Sequence, residues 1–253
     1  MTRKKTSNYK RSASNKTRKD KDIEELPEVV SSNEFDRTFK INTKYKLTPT
    51  HESFCELCYS HNTKIAFVDG PAGTAKTYCA ALVALNMLKS HRVDEVIYIR
   101  SIIESASKSM GALPGEVDDK FLPWTLPLQE KLQELISSSA MKTLFEQSVI
   151  KALPVNYVRG LTFKDSVVIV DEAQNLTKSE LVTILTRFGE DSTMLVIGDT
   201  FQADIGNKSG FKEMYDRFND VESEENGISC FKFTHDDIMR SEMLKFIVRK
   251  LEQ

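Results

Sequence analysis

The sequence predicts an α/β fold, a mostly parallel sheet covered by helices on both faces, and two observations carry that expectation. Short β-rich runs alternate with longer segments whose apolar residues recur at spacings of three and four. Runs such as Val167-Val168-Ile169-Val170 are apolar at consecutive positions, as a strand covered on both faces must be. Taken in order, Thr48-Pro49-Thr50 reads as a helix start. A strand follows at residues 65–69, a helix at 76–90 and a second strand at 95–100. Helices are expected at 126–137 and 141–147, strands at 155–158 and 167–171, and a helix at 178–188. A strand at 194–198, a helix at 210–218, a strand at 229–233 and a helix at 240–252 complete the pattern.

The composition excludes several classes. The chain has 253 residues, a formal charge of -2, and only 10 Gly and 7 Pro, so it is neither collagenous nor fibrous. No stretch approaches the roughly 18 apolar residues that a membrane-spanning helix needs, so no membrane partner is expected. Four cysteines without a framework of even spacings point to a reducing, cytoplasmic setting. The near-neutral total hides an asymmetry, because residues 1–21 hold nine Lys or Arg and a single acid, Asp20. That segment has no Leu, Ile, Val or Phe and can bury nothing, so it is expected to be disordered. It reads equally as an arm that neutralises nucleic-acid phosphates and as a solubilising terminus. An acidic stretch from Asp22 to Asp36 then reads as linker, which divides the chain into a tail and linker at 1–45 and a folded domain at 46–253.

Three motifs carry chemistry. Gly70-Pro71-Ala72-Gly73-Thr74-Ala75-Lys76-Thr77 stands where the first strand hands over to a helix, which is the strand, glycine-loop, Lys-Thr, helix order of a P-loop. Successive backbone N–H groups at a helix N-terminus curl round a phosphate, with Tyr78 next in the helix, while Lys76 reaches the β/γ-phosphates. Thr77 offers its hydroxyl to Mg²⁺, so ATP with Mg²⁺ is the expected ligand pair. Ala75 stands where the common pattern has a second Gly; its methyl is acceptable if the backbone there is already near helical, with binding weakened rather than abolished. The second motif, Asp171-Glu172-Ala173-Gln174, ends an apolar strand and so brings two carboxylates to the sheet's carboxyl edge. Asp171 suits the metal and Glu172 suits deprotonation of an attacking water. In the third, Gly198-Asp199-Thr200-Phe201-Gln202, Gln202 is placed to sense the γ-phosphate.

With these spellings in this order, the chain resembles the PhoH family of ATPases, relatives of superfamily 1 helicases. Arg100-Ser101, Gly111-Ala112-Leu113-Pro114-Gly115, Lys120, Pro123 and Pro127 are similar to that family's insertion, and Arg159-Gly160-Leu161-Thr162-Phe163 to its R-G-x-T segment. The resemblance implies a single RecA-like P-loop NTPase domain that hydrolyses ATP, and it implies helicase-like work on single-stranded RNA or DNA. Arg100, Arg159 and Thr162 are then the candidate nucleic-acid contacts. His51 occupies the place of a Gln that reads the adenine edge in such proteins, which leaves the choice of ATP over GTP open.

Other readings compete. His51, Cys55, Cys58 and His61 fall within eleven residues, but a helix from Thr48 gives them an apolar face and leaves no tight turn for a zinc site. Trp124 and Phe121 read either as loop-packing aromatics or as a stacking platform for an unpaired base. The whole chain reads alternatively as an ATP-binding regulatory or scaffold protein with little hydrolysis, or as a small-molecule kinase. Superfamily 1 helicases complete their ATP site from a second RecA-like domain, for which this chain lacks the length. A homo-oligomer, ring-shaped if it closes, with Arg240 as the finger reaching a neighbour's γ-phosphate, is therefore expected.

The tail yields a direct test. Deleting residues 1–21 should lower affinity for single-stranded nucleic acid and flatten its salt dependence, because each phosphate contact contributes roughly 0.7 to the slope. A slope that stays the same leaves the segment as a solubility device.

Overall fold

In the computed structural model, residues 39–101, 117–239 and 241–251 are described, those of 117–124 by backbone alone. The tail, most of the linker, the Gly111–Gly115 motif and Arg240 therefore lie outside the described residues, as do the side chains of Lys120, Phe121 and Trp124.

Among the described residues, six strands form one sheet: β1 (Ile65–Asp69), β2 (Glu95–Arg100), β3 (Ile150–Pro154), β4 (Ser166–Asp171), β5 (Thr193–Gly198) and β6 (Ile228–Lys232). Their order across the sheet is β3-β2-β4-β5-β1-β6, and every pairing is parallel. The helices are α1 (Pro49–Tyr59), α2 (Lys76–Lys89), α3 (Val117–Leu135), α4 (Ser138–Glu146), α5 (Lys178–Leu185), α6 (Phe211–Phe218), the short α7 (Val221–Glu225) and α8 (Glu242–Leu251). The fold is α/β with a RecA-like P-loop arrangement, as the sequence predicts.

Every residue of β1, β4 and β5 is buried, which is why these strands are apolar without alternation. One face of the sheet packs Phe67, Ile99, Val170 and Val196 with Leu181 and Ile184 of α5 and Phe211 and Met214 of α6. The other side carries α2, which touches β2, β4 and β5 and packs in turn on α1 and α3. Ten of the fourteen residues of α2 are buried, so this helix is a core element rather than an amphipathic surface one. Thr48 caps α1 by accepting from the His51 N–H, with Pro49 at the first helical position. Thr177 and Glu180 form a reciprocal capping box that opens α5.

One strand is corrected. Residues 155–158 are not a strand: Val155–Tyr157 is a 3-10 turn, and the strand is Ile150–Pro154 just before it. The β-branched residues of Val155-Asn156-Tyr157-Val158 suggest extension, but Pro154 ends the ladder. Because β3 is an edge strand and Pro154 its last residue, the missing N–H is tolerated there. A second difference concerns α3, which begins at Val117 rather than near 126 and runs through both Pro123 and Pro127. Both prolines stand inside the helix, although proline is ordinarily found at helix ends.

Register aligns the carboxyl ends of the strands. Arg100 is level with Asp171 and with Pro154, while Asp69 is level with Gly198 and Lys232. In an open parallel sheet this edge is where ligands bind, and all three motifs emerge from it. Gly70 is required there for a steric reason: a Cβ on it would lie 2.6 Å from Phe233 Cβ, where the chain leaving β6 crosses the start of the loop.

Candidate functional site

The loop between β1 and α2 is held from within and from behind. Lys76 Nζ donates to Gly70 O at 2.5 Å and to Pro71 O at 2.9 Å, and Thr74 Oγ1 donates to Pro71 O at 2.8 Å. Burial lowers the Lys76 pKa from its ordinary value, against the opposing pull of Asp199, Asp171, Glu172 and Asp69. From the carboxyl-terminal segment, the Met239 N–H donates to Gly73 O at 3.0 Å.

Ala75 differs from expectation. It precedes the first residue of α2 at φ 54° and ψ 25°, in the left-handed region rather than near the right-handed helix. A methyl there costs roughly 1–2 kcal/mol. The strain is absorbed by a loop tied down on both sides.

His51 also differs. Wholly buried on α1, its Nε2 lies 3.0 Å from Thr74 O and its Nδ1 2.6 Å from Thr48 Oγ1. A carbonyl only accepts, so Nε2 donates to it, and in the neutral ring Nδ1 accepts from the Thr48 hydroxyl. The ring also packs 5.1 Å from Phe233. Both nitrogens are therefore engaged behind the loop, and His51 does not line the cavity, so it buttresses the P-loop instead of reading a base edge. The helix predicted over Cys55 and Cys58 is present, and among the described residues no group of His, Cys, Asp and Glu is arranged to hold a metal ion.

Asp171 is fixed by three donors. Thr77 Oγ1 donates to its Oδ1 at 3.0 Å, Tyr98 Oη to its Oδ2 at 2.6 Å, and the Glu172 N–H to Oδ1 at 3.1 Å. Thus Thr77 and Asp171, from motifs 94 residues apart, meet on one wall. The hydroxyl and carboxylate oxygens are hard donors of the kind Mg²⁺ takes, so the residues fit the expected ion.

Glu172 follows at φ 54°, a left-handed conformation unusual for a non-glycine residue. That bend turns its side chain away from the strand. Gln174 Nε2 donates to Glu172 Oε2 at 2.6 Å, and Arg100 Nη2 lies 3.6 Å from Oε1. Burial, and then the neighbouring Asp171 charge, raise the Glu172 pKa from its ordinary value against Arg100, Gln174 and Lys76. Gln174 is buried, and its Oε1 accepts the Asp199 N–H at 3.1 Å, joining the second motif to the third. Asp199 accepts the Phe201 N–H at 3.0 Å, while Asp69 takes the N–H and hydroxyl of Thr200 at 3.0 and 3.2 Å.

These groups surround a cavity of about 370 Å³, lined by Ala72 to Tyr78, Asp171, Glu172, Gln174, Ile197 to Asp199 and Gln202, with Tyr45, Lys131, Glu134 and Met239 beside them. Lys76, Thr77, Tyr78, Asp171, Glu172 and Gln202 are thus brought together, whereas Gly70 and Pro71 form the back of the loop. Of the candidate nucleic-acid residues, Arg100 stands beside Glu172. Arg159 is exposed in the segment after β3. Thr162 does not share the carboxyl edge: it lies against Gly189, and its neighbour Phe163 donates to Arg187 O before β5 begins, so it sits toward the amino ends of the strands.

Sequence reasoning missed Tyr98, Tyr45, Met239, Lys131 and Glu134. Tyr98 carried a signal: it is the one residue with a polar tip inside the apolar run Val96-Ile97-Tyr98-Ile99, and a buried Tyr hydroxyl needs a partner. The others are too far from the motifs in sequence to be assigned without the fold.

Fold and cavity together define a P-loop nucleotide-binding protein of the RecA-like class. The PhoH-like protein family matches residues 46–252, and the chain belongs to that family. It is 37% identical over 191 residues to a PhoH-like protein of Synechocystis sp., covering 75% of this chain and 57% of that protein. It is 34% identical over 191 residues to a PhoH-like protein of Bacillus subtilis, covering 75% and 58%. Against Protein PhoH of Escherichia coli K12 the identity is 34% over 182 residues, or 70% and 50%. The chain thus spans between half and three fifths of the length of these relatives.

Ala75 gives a test of the loop. Ala75→Gly removes the left-handed strain but adds freedom to the unfolded chain, worth about 0.4–1 kcal/mol, so a net stabilisation of up to about 1.6 kcal/mol is expected in urea unfolding. ATP binding should be no weaker. A destabilised variant would show that the backbone at Ala75 is not left-handed.

Proposed function

We propose that this chain is an ATPase that hydrolyses ATP to ADP and phosphate at the Lys76–Glu172 cavity and couples the cycle to single-stranded RNA or DNA. The observation that carries the hydrolytic half is the convergence of a P-loop lysine, a Thr77–Asp171 oxygen pair and a separately oriented carboxylate, Glu172, on one cavity. The loop amides and Lys76 bind the phosphates, and Thr77 and Asp171 would hold Mg²⁺, which supplies charge neutralisation when bound. Glu172 takes a proton from water as the water oxygen attacks the γ-phosphorus, and the bond to the bridging oxygen breaks with its electron pair leaving on ADP. Gln174 and Arg100 aim Glu172, and Gln202 reports the γ-phosphate. Burial of Glu172 supports this role, since a base with a raised pKa is a stronger proton acceptor at neutral pH. The nucleic-acid half rests on the resemblance to superfamily 1 helicases and on the cations of residues 1–21.

Completion of the site by a neighbouring copy belongs to the same proposal. Its support is the row of apolar residues exposed along α8, Met243, Phe246 and Leu251, which follow Arg240 in sequence.

Two outcomes are expected. Glu172→Gln should still bind ATP, while steady-state phosphate release falls at least about a hundredfold and the acid limb of the wild-type pH profile lies above the ordinary glutamate value. Normal turnover in that variant sinks the assignment of the base. Lys76→Ala and Arg240→Ala should each be inactive, the latter by on the order of 10³, and mixing the two should restore activity through interfaces that pair an intact loop with an intact arginine. Demonstrated subunit exchange without recovery, or a fully active monomer, rules out action in trans.

A further inference from the structure

The first two residues of the P-loop line a second cavity of about 410 Å³, together with Asp69, Phe201, Lys232, Phe233, Thr234, His235 and Arg249. We propose that this cavity is a single-stranded nucleic-acid site, in which one base stacks on Phe201 while Lys232 and Arg249 take the flanking phosphates. The proposal rests on the coupling to nucleic acid argued above and gives it a location that differs from Arg100, Arg159 and Thr162.

Phe201 is 66% exposed, and its backbone is held on both sides. Its own N–H donates to Asp199 Oδ1, Thr200 is tied to Asp69 by two hydrogen bonds, and the Gln202 N–H donates to Asp199 O at 3.1 Å. With the backbone fixed, only the two side-chain torsions of the ring remain to be ordered on stacking, so the platform is partly preorganised. Apolar burial does not account for its position.

Charge selects the ligand. Lys232 ends β6 and Arg249 lies on α8, and both side chains are largely exposed. Among the described residues, the only carboxylate lining the cavity is Asp69, itself buried, and it already accepts from Thr200 and lies 3.6 Å from Lys232 Nζ. Asp236 and Asp237, next along the chain, do not line it. An exposed aromatic and two cations on the wall of one cavity match a base with its phosphates. A protein partner would call for a broader apolar patch, such as that of α8, whose exposed Met243, Phe246 and Leu251 are not part of this cavity.

The two cavities share their walls. Gly70 and Pro71 face the second and Ala72 to Tyr78 the first; Phe201 lines the second while Asp199 and Gln202, on either side of it, line the first. Occupation of either cavity therefore bears on the same two loops, and whatever factor nucleotide adds to strand affinity, the strand must add to nucleotide affinity.

The test is fluorescence anisotropy with labelled single-stranded DNA and RNA oligonucleotides, across a salt series, on the full chain. Phe201→Ala should weaken binding about tenfold, since stacking on an aromatic is worth roughly 1–3 kcal/mol per base, and Phe201→Trp should restore it. The double variant Lys232→Gln, Arg249→Gln should flatten the salt slope by about 1.4, two contacts at roughly 0.7 each. Binding of a fluorescent ATP analogue should be retained in all three, which shows the fold intact. If the wild type binds strands and these variants bind them equally well with the same slope, this site is wrong and the coupling stands. If the wild type binds no single strand, both fall. A change confined to sedimentation behaviour in Phe201→Ala would overturn the proposal in favour of an interface between copies.

Discussion

Asp171 is the point on which the rest of the site hangs. Its carboxylate receives the hydroxyl of Thr77 from the P-loop helix, the hydroxyl of Tyr98 from the neighbouring strand and the N–H of Glu172 from its own turn. Three separate elements are thereby referred to one buried group. The constraint is costly in isolation, because a buried carboxylate without donors is strongly disfavoured, and it is satisfied only when β2, β4 and α2 are in register. The sheet and the Thr77–Asp171 wall of the cavity consequently depend on the same register. Tyr98 feels the same arrangement: burial, and then the Asp171 charge, push its phenol well above the ordinary range, so it stays a donor at any physiological pH.

Around that point the molecule trades local comfort for direction. Ala75 and Glu172 both adopt left-handed backbone conformations, Ala75 where the P-loop enters α2 and Glu172 where the second motif leaves β4. Such conformations survive where the surroundings hold more of the backbone than the local cost can release. The P-loop has His51 behind it and Met239 in front; Glu172 has Gln174 and Arg100 on its two oxygens. The strain lies beside the cavity and the ties lie one layer out.

Much of this was legible in the sequence for physical reasons. A strand covered on both faces must be apolar throughout, so β1, β4 and β5 announced themselves, and phosphate-binding loops need glycine and lysine at fixed offsets from a strand. The sheet's parallel character then fixed the edge at which the motifs meet. What was illegible depended on geometry that composition does not encode. Val155 to Val158 has the residues of a strand, yet Pro154 had already closed the ladder. Pro123 and Pro127 look like helix breaks yet lie within α3. His51 stands where the family resemblance implies a base reader, but its side of α1 is set by packing against Phe233 and the loop, and it is not among the residues lining the cavity. Cavity-lining residues distant in sequence, such as Tyr45 and Met239, became visible only once the chain had folded back on itself.

The amide of Gln174 has one consequence for how this surface can evolve. Its nitrogen holds Glu172 and its oxygen holds the N–H of Asp199, so one planar group spans two loops and its two ends are not interchangeable. Asparagine lacks the reach, and glutamate would set a second negative charge against Glu172 while losing the donor. Drift at this position is therefore closed off by chemistry on both sides, whereas the longer and partly solvated contact from Arg100 leaves room for exchange. A lineage that relaxes the position of Glu172 would have to do so through the arginine, keeping the amide as the hinge pin between the two loops.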